Sequence, residues 1–306
     1  MRLRAATRGS PLALWQTEHV AGLLTAALPD LELETVVVET TADRRLDIPI
    51  WEMGGKGVFV KEVQAAVLDG RADLAVHSGK DLPSASVDGL VLAAVPVRGD
   101  ARDALVGSTL AGLAAGSTVA TGSARRRAQL AWLRPDLTFT ELRGNIGRRL
   151  EQVGRDGIAA VVAAAAALER LGLDEQIAEV LEPHDLLPQV AQGALAVECR
   201  VDDVATRQAL ALIEDPRSRD AVDAERGFLA ELGGDCDLPA GAHASAVGAV
   251  GVGGGATLEI EGLLASLDGH VVMRHRVAGV ASEAEALGRE VARHLLGAGG
   301  ASLLDR

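Results

Sequence analysis

Over the first two thirds of the chain, short β-branched runs alternate with longer stretches of helical period. Leu3 to Thr7 reads as a strand, and Pro11 to Leu28 as a helix with Ser10 as N-cap and Pro11 at the first helical position. Glu32 to Glu39 predicts a strand, Val58 to Leu68 an amphipathic helix stopped by Asp69-Gly70, and Asp73 to Val76 and Leu90 to Val95 two short strands. The pattern restarts near Ala104, with a strand at Val119, a helix from Ala124 to Leu133, a strand from Leu137 to Leu142, a helix at Gly147 and a strand from Ile158. Such alternation predicts parallel sheets with helices on both faces. Its repetition predicts two α/β lobes with a cleft between them, where ligands favour the strand C-termini.

The last third changes period. Arg219 to Leu232 reads as a helix, followed by alternating apolar stretches at His243 to Val252, Ala256 to Ala265 and His270 to Val277. Gly253-Gly254-Gly255 and Asp268-Gly269 supply the turns, and Ser282 to Leu296 closes the chain as a helix. This predicts a small antiparallel sheet with helices, an α+β third domain.

Composition narrows the class. The 306 residues are 48% hydrophobic, ample for buried cores. The net charge of −13 argues against a broad nucleic-acid or anionic-membrane surface. Cys199 and Cys236 are the two cysteines, too few for a disulfide framework and without zinc-ligand spacing. The N-terminal stretch has no apolar signal-like core, and the Ile158 to Leu168 run is too short to span a bilayer. The expectation is a cytoplasmic protein in a reducing compartment.

Against that acidic background, basic residues collect where strands pass into helices. Arg125-Arg126-Arg127 follow the Thr121-Gly122-Ser123 turn, and Arg143-Gly144-Asn145-Ile146-Gly147-Arg148-Arg149 forms a second cluster. Cations disfavour a helix N-terminus, so arginines there point to an anionic ligand. Of 30 basic residues only Lys56, Lys61 and Lys80 are lysines. Arg8-Gly9-Ser10 is either an anion site or simply a well-capped helix. Asp81, after the Asp73 strand, is either a cleft carboxylate or part of a solvated turn ended by Pro83, and His77 reads as structural. Cys236 lies in a glycine-rich loop between Asp235 and Asp237, whose charges raise a thiol pKa; attachment suits it better than protease-like nucleophilicity. Cys199, on the strand-like Leu195 to Arg200, reads as a buried core thiol. Gly54-Gly55-Lys56-Gly57 lacks the spacing of a P-loop.

Taken together these segments resemble the porphobilinogen deaminase (hydroxymethylbilane synthase) family along essentially the whole chain. The resemblance rests on Ala6-Thr7-Arg8-Gly9-Ser10-Pro11-Leu12-Ala13-Leu14-Trp15-Gln16, Gly54 to Glu62, His77-Ser78-Gly79-Lys80-Asp81-Leu82-Pro83, Thr121 to Gln129, Leu142 to Leu150, Pro188-Gln189-Val190-Ala191-Gln192-Gly193-Ala194 and the Cys236 loop, in the family's order. It implies a transferase of tetrapyrrole (heme) biosynthesis that condenses four porphobilinogen molecules into hydroxymethylbilane, releasing ammonia each time. It further implies a dipyrromethane cofactor attached covalently at Cys236, and a monomer with no nucleic-acid or membrane partner. The implied fold is α/β, with two periplasmic-binding-protein-like lobes, residues 1–96 with 190–213 and residues 97–189, plus a cofactor-carrying α+β domain at 214–306 with a three-stranded antiparallel sheet.

The resemblance also implies residue roles. Asp81 matches the catalytic position, and Lys80, Asp81, Ser123, Arg125, Arg126, Arg143 and Cys236 match cofactor-binding positions. Arg8, Ser10, Arg149 and Arg170 match substrate-binding positions, Phe59 is a substrate-binding candidate that packs either near the pyrrole rings or in the core, and no metal is expected. Each porphobilinogen carries an acetate and a propionate, which gives the arginines their ligand class. The chain departs from the family at Gly79, where relatives carry a larger residue, at Arg127, where glutamine is common, and at Thr41-Ala42-Asp43. A two-lobed solute-binding protein and a phosphate-handling transferase are the rival readings. The first leaves the Cys236 loop without purpose, and the second lacks a P-loop or metal-carboxylate cluster.

Overall fold

A computed structural model describes residues 1–41, 57, 60–142, 144–233, 238–247 and 256–304. In chain order the described elements are β1 (Arg2–Arg8), α1 (Pro11–Ala27), β2 (Glu32–Val38), α2 (Lys61–Leu68), β3 (Leu74–Ser78), β4 (Leu90–Ala94), β5 (Asp103–Val106), β6 (Thr118–Ala120), α3 (Ala124–Leu133), β7 (Thr138–Thr140), α4 (Ile146–Leu150), β8 (Ile158–Ala164) and α5 (Ala165–Arg170). They continue with β9 (Ile177–Leu181), β10 (Leu195–Arg200), α6 (Val204–Leu210), α7 (Pro216–Glu231), β11 (Ala240–Val247), β12 (Thr257–Ala265), β13 (Val272–Val280) and α8 (Ala284–Gly297). Two compact units result: residues 1–99 with 194–219, and residues 100–193 with 220–306.

The first unit holds a five-stranded sheet of order β2-β1-β3-β10-β4. Its two faces are covered separately. On one, Leu3 and Leu74 pack with Val20 and Leu24 of α1 and Leu210 of α6. On the other, Ala6 and Ala75 pack with Val63, Ala66 and Val67 of α2. Ser10 starts α1 as the sequence predicts: its Oγ accepts from Ala13 N at 3.3 Å, with Pro11 just inside the helix.

The second unit holds a sheet of the same design, β7-β6-β8-β5-β9. Ile158, Val161 and Leu168 fill one face with Leu142 and Leu150; Val119 and Val162 fill the other with Leu130 of α3 and Leu186. The three-stranded sheet β11-β12-β13 lies in the same unit and is antiparallel throughout. Phe228 of α7 is fully buried against it, where a Cβ on Gly262 would meet the Phe228 ring at 2.6 Å. Burying such a ring contributes roughly 1.5–3 kcal/mol. A smaller core of Ala128, Leu187, Leu263 and Ala265 joins this sheet to α3.

The α/β class and the antiparallel third sheet agree with the sequence reading, but the two large sheets are mixed rather than parallel. Strand β10 runs antiparallel to both β3 and β4, and β5 antiparallel to both β8 and β9. Each is the strand formed just after the chain passes from one unit to the other, so it enters its sheet in the opposite sense. Hydrophobic period records burial, not strand direction.

Candidate active site

In the first unit, β1 and β3 are parallel neighbours, and the expected residues leave their C-terminal ends. Arg8 ends β1 and Ser10 caps α1. Lys80 and Asp81 sit on a single 3₁₀ turn, Gly79–Asp81, directly after β3. The turn is tied down on both sides: Gly79 N donates to Ala194 O at 2.9 Å and Leu82 N to Gly79 O at 3.2 Å. Next to it Ser78 pairs with Leu195 in the β3–β10 ladder. Asp81 is half-buried, and its carboxylate takes no hydrogen bond or ion pair from the described residues. His77 is buried with Nε2 3.1 Å from Glu198 Oε2, and Glu198 also accepts from Gln64. That is the structural role the sequence predicts.

In the second unit, the expected residues follow the C-terminal ends of the parallel strands β6, β7 and β8. Ser123 caps α3, its Oγ accepting from Arg126 N at 3.4 Å. Arg149 lies on α4 and donates from Nε to Gly144 O at 2.7 Å. Arg170 ends α5 and donates to Gly193 O. Burial pushes the Arg170 pKa down, opposed by the Glu169 charge. Arg143, Phe59 and Cys236 lie outside the described residues.

Arg125 and Arg126 point inward. Their relative exposures are 2% and 7%, whereas Arg127 is exposed. Both meet Asp103, the fully buried first residue of β5. Asp103 Oδ1 accepts from Arg126 Nε at 2.9 Å and Nη2 at 2.6 Å, and from Gln192 Nε2 at 2.9 Å. Asp103 Oδ2 stands 2.8 Å from Arg125 Nη1, an ion pair without hydrogen-bond alignment. Arg126 Nη1 donates to Val162 O at 3.1 Å, so most of its guanidinium is satisfied within the protein.

Arg125 is not. Its Nη1 donates to Leu187 O at 2.6 Å, but Nε and Nη2 are buried without a hydrogen-bond partner among the described residues. Two guanidiniums thus share one carboxylate. Burial alone would raise the Asp103 pKa, and the Arg125 and Arg126 charges reverse that, holding it well below the ordinary carboxylate range. Burial pushes the Arg125 pKa down, Asp103 opposes this, and the Arg126 charge adds to it. A buried, partly unpaired guanidinium is costly unless an anion completes it.

Strand β11 passes against this same arginine. A Cβ on Gly241 would meet Pro188 O at 2.7 Å, Leu187 O at 2.9 Å and Arg125 Cδ at 3.1 Å. Ala242 N donates to Pro188 O at 3.1 Å, fixing the strand there. Cys236 lies five residues before Gly241 in the sequence.

Comparison with known proteins shows the family of the chain. The model of the porphobilinogen deaminase dipyromethane cofactor binding domain matches residues 3–208, and that of the porphobilinogen deaminase C-terminal domain matches residues 220–297. The porphobilinogen deaminase of Trichlorobacter lovleyi is 42% identical over 99% of this chain and 96% of its own. That of Nitratidesulfovibrio vulgaris is 43% identical over 99% and 96%. The chain belongs to the porphobilinogen deaminase family. Among solved structures, a probable amino-acid ABC transporter extracellular-binding protein from Bacillus subtilis is 9% identical, with a TM-score of 0.40 over 69% of this chain and 89% of its own.

Family membership makes the chain a transferase, a hydroxymethylbilane synthase of tetrapyrrole biosynthesis with a dipyrromethane cofactor, as the sequence motifs imply. The residues present fit that group. The free Nε–Nη2 edge of Arg125 is the edge that takes a carboxylate bidentately, and it lies beside the strand leading from Cys236. Asp103 and Gln192 are the contributors that sequence reasoning missed. The available signal was a lone acid heading the otherwise apolar Asp103-Ala104-Leu105-Val106. Cys199 is buried as expected, and burial pushes its thiol up to about 11, which keeps it inert. No helix among the described residues is long and apolar enough to cross a membrane.

Proposed function

We propose that this chain condenses four porphobilinogen molecules into hydroxymethylbilane as a cytoplasmic monomer, with its dipyrromethane cofactor joined by a thioether to Cys236 and no nucleic-acid or membrane partner. In each cycle the aminomethyl C–N bond of one porphobilinogen breaks and ammonia leaves. A C–C bond forms to a free pyrrole α-carbon, which then loses its proton; after the fourth unit one water adds to release the chain and supplies the hydroxyl of hydroxymethylbilane. When bound, the cofactor supplies the first pyrrole with such an α-carbon.

Asp81 is the catalytic residue of this reading. Its available carboxylate accepts hydrogen bonds from pyrrole N–H groups and stabilises the cationic azafulvene formed from substrate as ammonia departs. Lys80, on the same turn, neutralises a neighbouring carboxylate. Arg125, with Ser123, Arg126 and Arg143, holds the cofactor's acetates and propionates. Arg8, Ser10, Arg149 and Arg170 hold those of the incoming units, and Phe59 packs near a pyrrole ring. The observation that carries this reading is the buried Arg125 guanidinium with its Nε–Nη2 edge unpaired. Intact-protein mass spectrometry tests it. Wild-type protein is expected to exceed the sequence mass by two linked pyrrole units, and Cys236→Ala to match its sequence mass. A stable, unmodified wild-type protein that does not consume porphobilinogen refutes the reading.

A further inference from the structure

We propose that Asp103 is a positioning residue of the reaction: it neutralises one of two adjacent buried guanidiniums and turns Arg125 so that its Nε–Nη2 edge faces a ligand carboxylate. The inference rests on the function proposed above. Asp103 is itself fixed by backbone, because β5 lies between β8 and β9, with Asp103 paired to Ala164 on one side and Leu181 on the other. Its two oxygens divide the work. Oδ1 collects Arg126 Nε, Arg126 Nη2 and Gln192 Nε2, while Oδ2 faces Arg125 Nη1. Gln192 is anchored in turn, its Nε2 also donating to Ala101 O at 2.8 Å. Arg125 Nη1 is therefore held between Asp103 Oδ2 and Leu187 O, and the opposite edge of the planar guanidinium is aimed by default. Without the Asp103 charge, two buried cations face each other and Arg125 keeps only Leu187 O.

Asp103→Asn removes the charge; Asp103→Glu keeps it but moves it outward by one methylene. The measurements are the fraction of purified full-length protein carrying the two-pyrrole mass, KM and kcat for porphobilinogen normalised to that fraction, and the urea midpoint. For Asp103→Glu we expect a folded protein with a urea midpoint near wild type. The modified fraction falls, or KM rises, by about tenfold or more, as for loss of a charge-assisted bidentate contact, with kcat changed much less. Asp103→Asn shows the same defect more strongly. Wild-type occupancy and KM in Asp103→Glu overturn the inference. So does a variant whose only defect is a lowered urea midpoint, or one that fails to fold, since Asp103 is then a residue of the fold alone. A wild-type protein without the added mass counts instead against the proposed function.

Discussion

Glu225 offers a direct test of how β11 is held to the segment that precedes Gln192. Its side chain is fully buried on α7. Glu225 Oε2 accepts from Ala191 N at 2.6 Å, and Oε1 accepts from Ala244 N at 2.9 Å. Ala191 has φ of +57° and immediately precedes Gln192, the partner of Asp103; Ala244 lies on β11, the strand that follows Cys236. One carboxylate thus ties the segment before Gln192 to β11. In Glu225→Gln, either amide orientation turns one oxygen into an NH₂ group facing a backbone N–H. Losing a hydrogen bond to a charged acceptor and leaving a buried donor unpaired costs about 2–4 kcal/mol. For a unit of this size that is a fall of about 5–10 °C in melting temperature. Differential scanning calorimetry on Glu225→Gln, with exposed Glu290→Gln as control, measures it. The control is expected to stay within about 0.5 kcal/mol of wild type. A Glu225→Gln midpoint equal to the control refutes the brace.

Three further outcomes are expected. Asp81→Asn keeps the two-pyrrole mass but loses about a hundred- to ten-thousandfold in kcat, read from steady-state product formation; unchanged turnover removes Asp81 from the chemistry. Gly269→Ala destabilises by about 2–4 kcal/mol in thermal unfolding, since left-handed backbone disfavours a side chain and the added carbon overpacks α3. The residue has φ of +75°, and its Cβ would lie 2.6 Å from Ala128 O. In acid, the Asp103 pKa is depressed in the fold, so its stabilisation is complete above the unfolded value of about 3.9 and is lost as pH falls toward the folded value. Asp103→Asn should therefore flatten the acid limb of a stability–pH curve taken below about pH 4.

Much of the fold was legible because it is written locally. Ser10 and Pro11 mark the start of α1, Ser123 that of α3, and the apolar runs mark β1, β3 and β8 within a residue or two. Strand direction was not legible, since β5 and β10 owe their antiparallel sense to chain crossings that no side chain announces. The same limit shaped the reading of the arginines. A helix N-terminus carrying Arg125 and Arg126 points to an anion, and the sequence offers an external ligand as readily as an internal one. The fold supplies an internal one as well: Asp103, more than twenty residues earlier, takes most of Arg126 and one corner of Arg125. Its neighbour Arg102 pairs with Asp100, so adjacent residues of the Arg-Asp dipeptide face opposite environments.

The two large sheets show why the chemistry falls where it does. Their strand orders correspond term by term, β2-β1-β3-β10-β4 with β7-β6-β8-β5-β9. Under that correspondence Gly9-Ser10 and Gly122-Ser123 occupy the same place, each serine capping the helix after the second strand of the order. The third strands end alike too. Ser78 pairs with Leu195 and Gly79 N reaches Ala194 O, just as Ala164 pairs with Asp103 and Ala165 N reaches Arg102 O. At this shared position one unit carries Lys80-Asp81 on an open turn, and the other carries Ala165-Ala166-Ala167 opening a helix. The crossing strands are complementary: β10 begins with apolar Leu195 beside the Gly79–Asp81 turn, and β5 begins with Asp103 beside the alanines. Each copy of the framework thus has one carboxylate at this junction, on the third strand's exit in one unit and on the crossing strand in the other. Asp81 is half-buried on a turn, whereas Asp103 is fully buried and needs its two arginines. The two carboxylates thus differ in their partners: Asp103 is committed to holding arginines, and Asp81 takes no hydrogen bond or ion pair from the described residues.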